Sequence, residues 1–176
     1  ICEFKPKEVH ITGGLNRHWT FKKYLDLLNQ IRQLYPDLFV KAFTAVEIDR
    51  FAKDEKRSFK EILIELKNAG LNSLTGGGAE IFSARMRALY CPNKIGPEIW
   101  IKVHHTAHEL GLSSNATMLY GLGETIVEVI EHLLALRDAQ DQSGGFSCFI
   151  PLAYQPPKKS TVDEGSSPLD NLRMIA

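Results

Sequence analysis

No run of apolar residues in this sequence approaches the roughly 18 that a membrane-spanning helix needs. Net charge is absent too: 21 lysines and arginines balance 21 aspartates and glutamates, so no basic patch announces a nucleic-acid partner. Cysteine is scarce, with Cys2, Cys91 and Cys148 scattered along 176 residues. An odd, widely spaced set builds neither a secreted disulfide framework nor a CxxC or CxxxCxxC cluster. The phosphate-binding patterns GxxxxGK[ST] and GxGxxG are missing, and so is the HExxH metal motif. What remains is a globular chain, one domain in size, expected in the cytoplasm with a small-molecule or protein partner, and with neither nucleic acid nor membrane among its partners. Because the chain begins at Ile1 rather than Met, it is expected to be a piece of something longer.

What the sequence does have is an alternation of strand and helix patterns. Short β-branched or apolar runs at 8–12, 38–43, 71–74, 113–120 and 145–152 read as strands. Between them Phe21, Tyr24, Leu25, Leu28, Ile31 and Leu34 recur at helical spacing after Thr20, and FKEILIELKNA follows Ser58 and ends at Gly70. Further helices are expected at 80–89, 98–110 and 124–140. About five strands alternating with helices imply an α/β fold with parallel pairing through right-handed crossovers. The spacing, roughly 30 to 40 residues per unit, suits a doubly wound sheet or a (β/α) barrel. Four successive strand ends carry special residues, which favours a barrel, and a partial one, since a complete barrel takes roughly 250 residues. The expected boundaries are a barrel segment over 1–155 and a polar loop with the start of a helix over 156–176.

Those strand ends are ITGGLN (11–16), FTAVEI (43–48), LTGGGAEIF (74–82) and MLYGLGET (118–125). Gly13 and Gly14 fit a tight turn or a close approach of backbone to ligand. Gly76, Gly77 and Gly78 raise unfolded-state entropy and seldom persist without a steric reason, and here a functional, ligand-side role is favoured over a plain structural turn. Glu47 stands at a strand end, where an acid can accept from ribose hydroxyls or an ammonium. Glu80 with Arg85 and Arg87 on the predicted helix 80–89 would present a carboxylate and a cation to a zwitterion, or be an exposed helix pair. Glu124 reads as a first-turn acid favoured by the helix dipole. His104 and His108 have the i, i+4 spacing of metal ligands but no intervening glutamate, so no metal site is expected in this chain; His105 reads as a surface residue, and Cys148 as core.

Five motifs together carry a resemblance. HITGGL (10–15), KAFTAVEI (41–48), GGGAEIF (76–82), SNATMLYG (114–121) and RDAQDQSGGFSCFIPLAY (137–154) resemble, in order, the radical S-adenosylmethionine enzymes of the futalosine route to menaquinone, aminofutalosine synthases in particular. FIPL and KAFTAVEI favour these over the sister family, cyclic dehypoxanthinyl futalosine synthase, which is the alternative reading. The resemblance implies a TIM-type barrel of the radical SAM superfamily, of which this chain would hold strands two to six. It implies S-adenosylmethionine and a [4Fe–4S] cluster as cofactors, and an electron donor such as flavodoxin or ferredoxin. It implies a transferase that adds the 5′-deoxyadenosyl radical to 3-[(1-carboxyvinyl)oxy]benzoate to give 6-amino-6-deoxyfutalosine. Carried onto this chain, it makes Gly13, Gly14, Glu47, Glu80 and Arg87 cofactor-binding residues, and Asn115 and Thr117 substrate-facing ones. The family's CxxxCxxC loop has no counterpart here, so the cluster ligands lie outside this chain and the segment alone is expected to be inactive. NRHW (16–19) and YGLGET (120–125) also depart from the family's usual turns.

Overall fold

The computed structural model describes residues 5–156 and 167–175. Five strands, β1 (Glu8–Ile11), β2 (Phe39–Ala42), β3 (Ser73–Leu74), β4 (Ser113–Tyr120) and β5 (Phe146–Ala153), pair in chain order and all in parallel. That order decides between the two architectures: a doubly wound sheet reverses its strand order at a switch point, and this one never does. The result is half of a (β/α) barrel. Every strand therefore ends on the same rim.

The helices are α1 (Phe21–Leu34), α2 (Ala45–Glu55), α3 (Phe59–Ala69), α4 (Ala84–Tyr90), α5 (Pro97–Glu109), α6 (Ile126–Ser143) and α7 (Pro168–Ile175). Leu28, Ile48, Leu63, Leu66, Trp100 and Val103 are fully buried and pack against Val40, Leu74 and Ala116 of the sheet. One feature was absent from the sequence reading: α2 starts directly after β2, so Thr44 to Glu47 is a helix start and not the mouth of a long loop. The TxxE pattern there is a capping box, in which Thr44 Oγ1 accepts from Glu47 N–H and the Glu47 carboxylate accepts from Thr44 N–H. Ser58–Glu61 and Thr125–Glu128 repeat the device on α3 and α6.

Two other expectations are corrected. Cys148 is exposed rather than core, because β5 is a sheet edge among the described residues and nothing covers its neighbourhood. Ile126, Val127, Ile130, Leu133 and Leu134 of α6 and Phe149 and Leu152 of β5 are exposed as well. His105 is not a free surface residue either, since its Nε2 meets the Ala139 carbonyl. At the other end of β5, Met174 of α7 packs on Met118, Tyr120 and Val129. Cys2 lies outside the described residues.

Behind the sheet, a buried chain of hydrogen bonds ties α5, β4 and α6 together. Ser143 Oγ donates to the Ala139 carbonyl (2.9 Å), so the proton in its 2.7 Å contact with His108 Nδ1 must come from the imidazole. His108 Nε2 is then bare and accepts from Ser114 Oγ (2.8 Å), and Ser114 in turn accepts from His104 Nδ1–H (2.8 Å). Both tautomers follow from bond order alone, and the chain ends on His104 Nε2, buried and unpartnered. A third imidazole, His132 of α6, accepts from Phe82 N–H at Nδ1 (3.1 Å) and donates from Nε2 to the Thr117 carbonyl (3.0 Å). Burial is the main cause that lowers these groups, to about 3 for His104 and about 4 for His108 and His132.

An acid-sensitive fold follows. Above the ordinary histidine value of about 6.5 both folded and unfolded chains hold neutral imidazoles and this effect vanishes. Below it the unfolded chain takes up protons that the folded chain refuses, so stability falls as pH drops from about 6.5 to about 4. The expected slope is on the order of 1 kcal/mol per pH unit for each imidazole held neutral. Thermal melts at pH 7.5, 6 and 5 should step downward, and a melt unchanged across that range would contradict the neutral network.

Candidate active site

The rim begins at the β1 exit. Gly13 and Gly14 stand in open space, with no atom within 4 Å of where a Cβ would lie, and Gly14 has φ +65°. The turn is steadied from its far side, where His18 N–H donates to Asn16 Oδ1 (2.9 Å). A main chain this bare can approach a ligand closely.

At the β2 exit the non-glycine Phe43 holds φ 64°. Thr75 fixes it, donating both N–H (2.8 Å) and Oγ1 (2.9 Å) to the Phe43 carbonyl, while the ring packs against Tyr24 and Phe51. Glu47, expected to face a ligand, turns back instead. Its Oε2 accepts from Thr44 N–H (2.8 Å) and Oγ1 (3.0 Å), only 2% of the residue is exposed, and burial pushes its carboxyl above the ordinary range. The acid shapes the rim rather than lining it.

The β3 exit explains its three glycines by sterics. A Cβ on Gly76 would lie 2.6 Å from the Asn115 carbonyl oxygen, one on Gly77 2.9 Å from Thr44 Cγ2, and one on Gly78 2.5 Å from Val46 Cγ2. The loop threads between the start of α2 and β4, and Thr117 Oγ1 (2.6 Å) and Trp100 Nε1 (3.3 Å) donate to the Gly76 and Gly77 carbonyls.

Glu80 follows with φ 50°, its carbonyl accepting Leu119 N–H (2.7 Å) and its carboxylate paired with Lys94. The expected shared face of Glu80 with Arg85 and Arg87 does not exist, because α4 begins only at Ala84. Arg85 binds Glu128 (2.7 Å) and the Gly123 carbonyl (3.1 Å), and together with Ser83 it holds Glu128 well below the usual carboxylate range. Arg87 is buried and donates to the carbonyls of Ala79 (2.8 Å), Ile81 (3.3 Å) and Ile95. A cavity of about 300 Å³ opens beside this arrangement.

On β4, Ser114 and Ala116 face the helices, so Asn115 and Thr117 face the inner side of the half-barrel. Both are buried, and Asn115 Oδ1 has no hydrogen-bond partner. Glu124 closes the β4 exit by accepting from Gly121 N–H (2.6 Å) and Leu122 N–H (2.8 Å), as a structural acid would. The residues sequence reasoning missed are Lys94 and His132. Neither carries a local pattern, and both matter only through the partners that the fold brings to them. Among the described residues no group of three His, Cys, Asp or Glu could hold a metal ion, and Cys91 and Cys148 are free thiols.

Comparison with known proteins adds relatives. Aminodeoxyfutalosine synthase from Thermus thermophilus is 44% identical over 96% of this chain and 47% of its own length. The chain resembles the aminodeoxyfutalosine synthases. Cyclic dehypoxanthine futalosine synthase from Streptomyces coelicolor is 36% identical over 99% of the chain and 44% of its own length. A 5-amino-6-(D-ribitylamino)uracil–L-tyrosine 4-hydroxyphenyl transferase from Methanosarcina mazei is 35% identical over 96% and 46% respectively. The chain thus spans about half the length of the curated relatives it matches. No family profile matches it.

The steric account of the β3 exit is open to direct test. Gly76→Ala should cost roughly 1–3 kcal/mol, since backbone must move to admit the methyl. Gly13→Ala, in open space at an ordinary φ, should stay within about 0.5 kcal/mol of wild type. Urea unfolding compares the two, and equal stabilities would remove the packing explanation.

Proposed function

We propose that the protein carrying this chain is an aminodeoxyfutalosine synthase. The observation that supports it most is the 44% identity to the Thermus thermophilus enzyme over 96% of the chain, against 36% for the cyclic dehypoxanthine futalosine synthase. In this reading residues 1–155 are strands two to six of a radical S-adenosylmethionine barrel, and 156–176 lead out of it. The reaction joins the adenosyl group to 3-[(1-carboxyvinyl)oxy]benzoate in menaquinone biosynthesis, in the cytoplasm, with a flavodoxin or ferredoxin as electron source.

The residues fit the two implied cofactors differently. Gly13 and Gly14 leave a bare main chain in open space, which suits a close approach by the methionyl part of S-adenosylmethionine. A [4Fe–4S] cluster needs cysteine ligands, which the described residues do not bring together. S-adenosylmethionine, when bound, supplies the adenosyl group. This chain contributes the wall and rim. Asn115 Oδ1, unpartnered on the inner face, is an acceptor for a substrate or ribose hydroxyl, and Thr117 holds the β3 loop against it. Glu47 and Arg87 keep the turns in shape, leaving Glu80 as the carboxylate at the mouth.

Anaerobic reconstitution of the full-length protein, followed by S-adenosylmethionine, reductant and the vinyl ether, should yield 6-amino-6-deoxyfutalosine by mass spectrometry. Cofactor cleavage without that adduct overturns the substrate assignment. Asn115→Ala should lower kcat/KM by about tenfold or more if its carbonyl accepts from the bound reactants.

A further inference from the structure

The end of the sheet opposite the rim, where helices lead back into strands, holds a cavity of about 240 Å³ between the last turns of α1 and α3. In a (β/α) barrel this end serves stability rather than catalysis, so a ligand here lies apart from the chemistry of the rim. Arg32 and Lys67 border the cavity, and no carboxylate does. Among the described residues neither cation is within ion-pair reach of an acid. Each is fixed instead by a main-chain carbonyl at a helix end: Arg32 Nη1 donates to Asn68 (2.8 Å) and Lys67 Nζ to Leu110. Gly70, at φ +120°, lets the Arg32 stem lie against it, since a Cβ there would come within 3.3 Å of Arg32 Cβ and Cδ. Capping a helix end accounts for one N–H of each cation. It leaves four donors on the guanidinium and two on the ammonium. Asn72 adds to them, because its Oδ1 is taken by Val40 N–H (2.8 Å) while its Nδ2 donates to no described residue. Arg32, Lys67 and Asn72 are all exposed, so the donors are open to solvent.

We infer that this cavity binds a phosphate dianion, as the free ion or as the end group of a phosphomonoester. Charge decides the class. Two fixed cations without an anion suit a group that carries roughly −1.5 to −2 near neutral pH, whereas a single carboxylate would leave one cation unbalanced. Geometry agrees, because a phosphate offers acceptor oxygens to the donors of Arg32, Lys67 and Asn72 at once. Size sets a limit: the cavity falls below the roughly 300 Å³ at which pockets for drug-sized ligands begin. It takes the phosphate group itself, and any larger body extends into solvent. The inference stands on these residues and does not rest on the proposed reaction.

Calorimetric titration of sodium phosphate into the full-length protein at pH 7.5, with chloride holding the ionic strength constant, tests this. Wild type should bind saturably at one site. Arg32→Gln keeps an N–H for the Asn68 carbonyl and Lys67→Gln one for Leu110, so both should fold, and each should weaken binding by about tenfold or more. Lys67→Arg, which keeps the cation, should retain most of the affinity. Lys22→Gln, which removes an exposed cation paired with Asp26 on α1, should bind as wild type does. Acetate should bind wild type at least about tenfold more weakly than phosphate. Tighter binding of glycerol 3-phosphate than of phosphate identifies a phosphomonoester as the occupant, and equal or weaker binding identifies the free ion. The absence of saturable phosphate binding to wild type overturns the assignment. So does an affinity unchanged in Arg32→Gln or in Lys67→Gln, and so does acetate binding as tight as that of phosphate.

Discussion

The steric closeness of the β3 exit to its neighbours is the constraint on which the rim depends. β3 is two residues long, too short to hold a sheet together through its ladder, yet it sits at the centre of five strands. Its continuation compensates by running on along β4 as irregular backbone, bonded to Thr117 through Gly76 and to Leu119 through Glu80. That path passes so close to Asn115, Thr44 and Val46 that no Cβ fits at three successive positions. The glycines therefore let α2, β3 and β4 close into one surface.

Polar groups on the two faces of β4 do different work. Toward the helices, Ser114 belongs to a chain of bonds whose direction is fully fixed, from His104 through His108 and Ser143 to Ala139. Such a network specifies how α5 and α6 seat on the strand more sharply than aliphatic packing would, because a shifted helix leaves buried donors unmet. Toward the inner side, Asn115 lacks a partner for its carbonyl oxygen. A buried acceptor without a donor costs stability. One buried acceptor is thus left open on each side, His104 Nε2 at the end of the helix-side chain and Asn115 Oδ1 on the inner face.

Much of this was legible in the sequence, and the failures have physical causes. Strands and long helices followed from period and caps: β4 at 113–120 was read to the residue, and Gly70 and Gly111 both mark helix ends. Helix α2 escaped because FTAVEI was read as a ligand-facing turn after the strand at 38–43, although Thr44 and Glu47 already spelled a capping box. Cys148 was misjudged because alternation reveals which face a residue occupies but not whether anything covers that face. His132 and Lys94 had no local signature at all, since their partners lie 50 and 14 residues away.

Arg87 shows where such reading must stop. In sequence it is a cation seven positions after an acid, and pairing the two is reasonable on a helix. In the fold the intervening residues leave the helix, Glu80 adopts a left-handed conformation, and the guanidinium spends its donors on the carbonyls that flank that acid. A charge placed this way no longer acts on a ligand by contact; it acts by fixing the separation of the loops that do. Its burial gives the arrangement its stiffness, because a buried guanidinium stripped of those carbonyls would be costly, so the loops cannot drift apart without exposing or orphaning it. The mouth of the half-barrel thereby gains a fixed corner at β3 and β4, in contrast to the bare turn at Gly13 and Gly14.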